Sequence, residues 1–414
     1  MPQGMALYVG AVLGTGVLTL PALAAELAGP ASLLAWLGLV VLSVPLATTF
    51  AVLATRFPDS GGVSTYVRRA FGKRISAVVG WWFFIGAPLG MPALALFGAS
   101  YLAEVTHGGQ GEAVAYAAAM LTLGFASNAF GVRLSGKVQL LLTGTLALLL
   151  VTAVVVAVPH AREGNLEPFA PHGWAAVGSA AALLMWSFNG WETVTHLSGE
   201  FANPKRDIKR ATVGALVVIG SLYLLLAAVT TLALGESAGK TATPLAALLE
   251  LGLGSTGPVV AAFIAVLVTS GTINAYVAGT SKLAAALARD GALPRYFAPG
   301  AETGAVPLRS LIIVAVMTGS VFSASILFDL DVQTLVLSST ACIMALYVVG
   351  ASAGIRILRY TSRAGTVSAA TALVLLVVLS VLTGWYLLWP LGIAAAWLLV
   401  AGRGAAGGQL AQVT

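Results

Sequence analysis

The sequence predicts an all-α polytopic membrane protein, and three observations predict it. Hydrophobic residues make up 58% of the chain and charged residues only 9%, with a mean hydropathy of +0.94; so little polar surface does not meet water as a globule. Apolar stretches long enough for a bilayer core, roughly 20 residues each, follow one another with short polar connectors. The Lys and Arg residues fall in those connectors with a marked bias.

The first expected spans are 5–27, 31–56, 75–105, 113–132 and 136–158. The second group runs 174–199, 210–234, 256–289, 307–328 and 332–356. The apolar stretch 365–402 is long enough for two crossings, with Thr383-Gly384 as the turn, which makes twelve helices. Five spans precede the sixth, so residues 1–158 and 174–356 form two halves that enter the membrane from opposite sides, followed by 365–402. Met1 to Met5 carries no basic region ahead of its apolar run, so no cleaved signal peptide is expected.

With the amino terminus in the cytoplasm, all 21 Lys and Arg residues except Arg162 and Lys240 fall on cytoplasmic loops or helix ends. The positive-inside rule demands that bias and the opposite orientation violates it. Orientation therefore accounts for the net charge of +6, and no basic patch interleaved with aromatics points to nucleic acid. The loop 57–74 holds Pro58, Gly61 and Gly62 and then an amphipathic stretch with Tyr66 and Phe71, read as a helix lying at the membrane surface or, alternatively, as a gate. The single cysteine, Cys342, sits in an apolar stretch without partners for a disulfide or metal site.

The first span reads YVGAVLGTGVLTLP, with Gly10, Gly14 and Gly16 in its middle third. Small residues there serve either close helix packing or a break. Unwinding in lipid strands N–H and C=O groups at several kcal/mol each, so a break implies a cavity or protein partners. The sixth span reads LLMWSFNGWETVTH and is interrupted by Ser187, Asn189 and Gly190. Paired interruptions at matching places in inverted halves mark the midplane site of a transporter. The turn at Leu13, Gly14, Thr15 and Gly16 would offer N–H groups to a carboxylate, and the carbonyls of Leu184, Met185 and Trp186 would face an ammonium. A free α-amino acid carries both groups.

Among 15 acidic residues only Glu192 falls well inside a span. It is read either as a proton-linked or gating carboxyl or as a neutral group holding the broken helix, with His196 one turn on as a partner or a structural residue. Trp186 and Phe188 are read as lids over the solute or as core. Thr269, Ser270 and Asn274 on the eighth span are weak candidates for a cation site beside the first span, or ordinary helix hydroxyls and amide. No nucleophile–base–orienter set points to an enzyme, no filter ring or polar stripe points to a channel, and no cofactor is implied.

The chain resembles the amino acid–polyamine–organocation transporter superfamily. The match lies in GAVLGTGV, in FPDSGGVSTYVRRAFG, in WSFNGWE followed by GEFANPKRDIKRA, and in SKLAAALARDGALP. LGTGVLTLPALAAELAG and HLSGEFANPKRDIKRA look most like its bacterial methionine and branched-chain amino acid exporter branch. The resemblance implies a LeuT-type 5+5 inverted-repeat fold with the first and sixth helices broken, and alternating access; with the orientation read from Lys and Arg, an inner-membrane location with both termini cytoplasmic is expected. It places the carboxylate at Gly14, Thr15 and Gly16, an aromatic gate at Trp186, a pocket-facing amide at Asn189, and gating or coupling at Glu192. Many proton-coupled relatives carry a lysine where this chain, counted from Val138-Gln139, has Leu146. The expected activity is efflux of neutral, apolar amino acids by proton antiport, as a monomer or weak dimer in the bilayer. An uptake permease or exchanger is the alternative, and a channel or scaffold a more distant one.

Overall fold

The computed structural model describes residues 8–10, 12–57, 62–131, 136–196, 204–302 and 305–410, of which the side chains of 136, 196, 204, 205 and 400–410 are not described. Pro58, Gly61 and the side chain of His196 thus lie outside the described residues. Helices joined by short turns make up those residues, without a strand among them. Eight helices among them are long and apolar enough to cross a membrane.

The first expected span is split. Residues 8–10 and 12 are helical, Gly14 is extended, a 3₁₀ turn runs Thr15–Leu18, and α1 follows at Leu20–Ala28. α2 (Ser32–Arg56) returns through the bilayer-length stretch, and α3 (Gly62–Phe71) is short and amphipathic. Its Val63, Tyr66, Val67 and Ala70 are buried, and it packs on α4 (Lys73–Val105) and on α13 (Val332–Leu358). The apolar side of α3 is therefore turned into the bundle, and the Tyr66 hydroxyl donates to the Phe57 carbonyl at 3.1 Å.

α4 is the central member, most of it buried, and Pro88 and Pro92 lie inside it. α5 (Gln110–Ala129) and α6 (Gly136–Ala157) follow. The sixth expected span is split as well: α7 (Ala175–Leu184) passes into a 3₁₀ turn at Met185–Phe188, Asn189 is extended, and α8 (Thr193–His196) resumes. Gly190 has φ +112°, a conformation open to glycine and costly for an L side chain.

α9 (Pro204–Leu234), α11 (Thr256–Arg289), α12 (Leu308–Leu327), α13, α14 (Arg363–Leu382) and α15 (Leu388–Leu410) follow. Between α9 and α11 lies α10 (Pro244–Leu253), which the hydropathy reading misses. Ten residues are too few to span a bilayer; its Leu245, Leu248 and Leu249 are buried, and it packs on α6 and α11. Four of the twelve expected crossings are not separate members of the eight: those at 5–27 and 174–199 are interrupted, leaving pieces shorter than a crossing, the one at 113–132 falls on α5, whose Gln110, Glu112 and Asn128 make it less apolar, and the last is a shorter apolar stretch at Gly384–Leu399.

Candidate functional site

The two interruptions face each other. α1 packs on α7, and the 3₁₀ turn Thr15–Leu18 touches the 3₁₀ turn Met185–Phe188. Interrupted helices leave main-chain groups that lipid cannot satisfy, and here four tyrosines from other elements or the opposite break meet them. The Tyr223 hydroxyl of α9 stands 3.1 Å from both the Val12 and Ser187 carbonyl oxygens, one from each interruption. The Tyr101 hydroxyl of α4 donates to the Leu18 carbonyl and accepts the Leu245 N–H at 3.2 Å. The Tyr347 hydroxyl of α13 accepts the Gly190 N–H at 2.8 Å and donates to the Glu192 carboxylate. Tyr8 donates to the Trp191 carbonyl at 2.9 Å.

Between the interruptions lies a cavity of about 120 Å³. Leu13, Gly14 and Thr15 line it from the first break, Trp186 and Asn189 from the second. Leu94, Leu142, Leu146 and Val268 give it an apolar wall. It reaches towards the start of α6, where Gln139 is exposed. Thr15 and Gly16 open their 3₁₀ turn, and the first N–H groups of a helical turn have no partner inside it. The side-chain oxygen of Asn189 is buried without a hydrogen-bond partner, as is the hydroxyl of Ser187. The Gly14 N–H is taken by the Val12 carbonyl at 2.7 Å, so Thr15 at the start of the turn and the Asn189 oxygen border the space from the two breaks, and Gln139, Thr143, Thr272 and Tyr276 add polar groups to its otherwise apolar lining.

Not every residue expected here lines that space. Met185 and Phe188 are buried elsewhere, Phe188 against Trp36 and Tyr223 with ring centroids 5.9 and 5.2 Å apart. The cause is the helix type. A 3₁₀ turn has 3.0 residues per turn, so residues three apart eclipse; Met185 and Phe188 share the core face, while Trp186 and Asn189 share the cavity face. Phe188 is core in this structure, not a lid. Gly16 packs under the 3₁₀ turn Met185–Phe188 instead of lining the cavity: a Cβ there would stand 2.6 Å from Trp186 Cδ1 and 2.9 Å from Ser187 Oγ.

Gly190 and Glu192 form part of the support. The Gly190 N–H also reaches Glu192 Oε2 at 3.2 Å, so the carboxylate and Tyr347 together hold the second break. The Ser187 carbonyl is taken by Tyr223, and the Trp186 carbonyl accepts the Asn189 N–H at 3.3 Å. The acceptor left facing the cavity is accordingly the Asn189 side chain. Thr269 is fully buried with its methyl and hydroxyl against Gly98, Ser270 is exposed, and Asn274 donates to Ser127 on α5 at 2.8 Å. These three side chains do not face a common point, and no group of three or more His, Cys, Asp or Glu able to hold a metal occurs among the described residues.

Sequence reasoning missed the tyrosines and Gly90. A signal existed for the former: Tyr223 and Tyr347 are single polar handles in otherwise apolar runs, LYLLLAA and MALYVVG, and a buried tyrosine hydroxyl needs a partner.

Comparison with known proteins identifies the family. The family model for amino acid permeases matches residues 3–404. The chain is 37% identical to an uncharacterized amino acid permease, YecA, of Bacillus subtilis over 396 residues, covering 95% of this chain and 93% of that one. It is 29% identical to the L-methionine/branched-chain amino acid exporter YjeH of Escherichia coli over 414 residues, covering 97% and 96%. Similarity to the branched-chain amino acid permease BcaP of Bacillus subtilis is 27% over 244 residues, covering 54% and 52%.

Proposed function

The chain belongs to the amino acid permease family, a family of membrane transporters and not of enzymes, and within it we propose a secondary active transporter that exports neutral, apolar L-amino acids. Its fold in this reading is the LeuT-type 5+5 inverted repeat, with residues 1–158 and 174–356 as the halves, 365–402 as the last two of twelve crossings, and both termini in the cytoplasm. Protons supply the driving gradient by antiport.

The observation that carries the reading is the cavity between the two breaks, with the start of the first turn at Thr15 on one side, the unpaired Asn189 oxygen on the other, and Leu94, Leu142, Leu146 and Val268 walling it beside Gln139, Thr143, Thr272 and Tyr276. The α-carboxylate goes to the turn at Gly14 and Thr15, where peptide dipoles replace a charged side chain. The α-ammonium goes to Asn189. The solute side chain lies against Leu94, Leu146 and Trp186, where a charged group would lack any counter-ion, and this favours apolar substrates. The substrates named for the exporter of similar length accord with that choice.

In this orientation the mouth beside Gln139 faces the cytoplasm, so the described state is open inward. Leu146, in place of the lysine of many relatives, leaves Glu192 as the carboxyl for coupling. Purified protein screened by thermal shift against the proteinogenic amino acids should respond to methionine, leucine, isoleucine and valine; a flat response overturns the substrate class. Proteoliposomes with an imposed pH gradient test the rest: amino acid movement indifferent to the gradient overturns proton antiport, and net uptake in place of efflux favours a permease or exchanger.

A further inference from the structure

The wall opposite the two breaks is built by α4, and at one point that wall is missing a side chain. A Cβ on Gly90 would stand 2.4 Å from Trp186 Cη2, 2.6 Å from its Cζ3 and 2.7 Å from Ser339 Oγ. Separations below 3.0 Å are not sustained by real Cβ atoms, so the far ring of the Trp186 indole occupies the very volume that any other residue at 90 would fill. Ser339 closes the notch from α13, fixed by donating to the Gly86 carbonyl at 2.7 Å. One helical turn further along α4, Leu94 lines the cavity, on the same helix face as Gly90.

The geometry points to Gly90 as a specificity-determining position: the notch it leaves in α4 parks the Trp186 ring, and the depth of that parking sets how large a solute side chain the cavity accepts. The inference rests on the proposed amino acid transport. Trp186 shares its face of the 3₁₀ turn with Asn189, so it forms the roof over whatever sits between the breaks. Its near edge packs on Gly16, where a Cβ would meet Cδ1 at 2.6 Å. Held between Gly16 and Gly90, the indole has no slack along that line. A methyl group at 90 drives the ring out of the notch, and the face open to receive it is the cavity, against Leu94 and the solute. The space lost is about one methylene or more, a change that alters discrimination between apolar substrates by roughly tenfold and upward.

The test uses full-length protein in proteoliposomes, comparing Gly90→Ala, Trp186→Phe and the double variant with wild type. The readouts are the ratio of methionine to alanine transport and the melting temperature. For Gly90→Ala the ratio should fall by about tenfold or more, with alanine transport retained. Phenylalanine lacks the second ring, and with Ser339→Ala introduced into every protein compared to remove the 2.7 Å contact of its Oγ, the double variant should recover most of the ratio, and its melting temperature should exceed the value that adding the two single effects gives. Should Gly90→Ala not fold, the double variant carries the same test, since it alone is expected to regain a folded transporter. A Gly90→Ala variant that transports with the wild-type ratio, or melting effects of the two substitutions that simply add, overturns the inference alone. Wild-type protein that transports no amino acid overturns the functional reading and this inference with it, while non-additive melting would still confirm the Gly90–Trp186 contact.

Discussion

Tyr223 and Ser187, 36 residues apart in sequence, meet at 3.1 Å, hydroxyl to carbonyl, and the same hydroxyl stands equally close to Val12 across the other interruption. One proton is shared between two stranded acceptors, so this side chain ties the two broken helices to each other as well as to α9. Replacing Tyr223 with Phe keeps the ring against Trp36 and Phe188 and removes only the donor. Membrane hydrogen bonds average ~0.6 kcal/mol, whereas leaving a buried acceptor unmet costs ~1–3 kcal/mol. With two acceptors affected and no lipid-side alternative, we expect a loss of about 1–2 kcal/mol, measured as a lowered melting temperature in detergent, together with slower transport. Wild-type stability would mean that the two carbonyls find other donors.

Gly14 and Gly16 lie two residues apart yet should respond in opposite ways. A Cβ on Gly14 meets only the Val12 carbonyl oxygen at 3.8 Å, and its φ of −87° suits any residue. Gly14→Ala should therefore fold normally and weaken amino acid binding roughly tenfold or more, because the methyl enters the space of the solute. Gly16→Val should lower stability, since its branched side chain collides with Trp186 and Ser187. Titration calorimetry and melting curves separate the two effects; equal loss of stability in both variants would contradict this division.

Glu192 accepts from the Gly190 N–H and from Tyr347, contacts that an amide oxygen can keep in part. Glu192→Gln should accordingly preserve the second break and substrate binding. It should abolish the dependence of transport on an imposed pH gradient, read in proteoliposomes. If the gradient dependence survives, Glu192 is a support for the broken helix and the coupling carboxyl lies elsewhere.

The exposed position of Gln139 at the cavity mouth gives a test of orientation with little background, because the single native cysteine, Cys342, is fully buried. Gln139→Cys should react with a membrane-impermeant maleimide in inside-out vesicles and not in right-side-out ones. Saturating methionine should slow the reaction. Labelling from the opposite face would reverse the proposed topology.

The sequence carried much of this architecture on its own. Membrane residence followed from composition, and the positions of most long helices followed from the length of their apolar runs, because the bilayer imposes both requirements locally. The places where two spans part were legible in Gly14, Gly16, Asn189 and Gly190, since small and polar residues in mid-span announce a backbone that needs partners. α10 escaped because its apolar run of ten residues, PLAALLELGL, is too short to read as a crossing.

What each residue of the breaks does was decided only by tertiary structure. From an α-helical pattern, Phe188 and Trp186 look alike; once the turn tightens to three residues, one faces Trp36 and the other faces the cavity. The partners that satisfy the freed peptide groups come from α4, α9 and α13, far away in sequence, and no local pattern says which tyrosine reaches which carbonyl. Gly90 was silent for the same reason: an absent side chain has meaning only through the ring that occupies its place. Hydrophobicity and chain length are properties of a segment, whereas hydrogen-bond satisfaction and close contact are properties of pairs, and pairs exist only once the helices have packed.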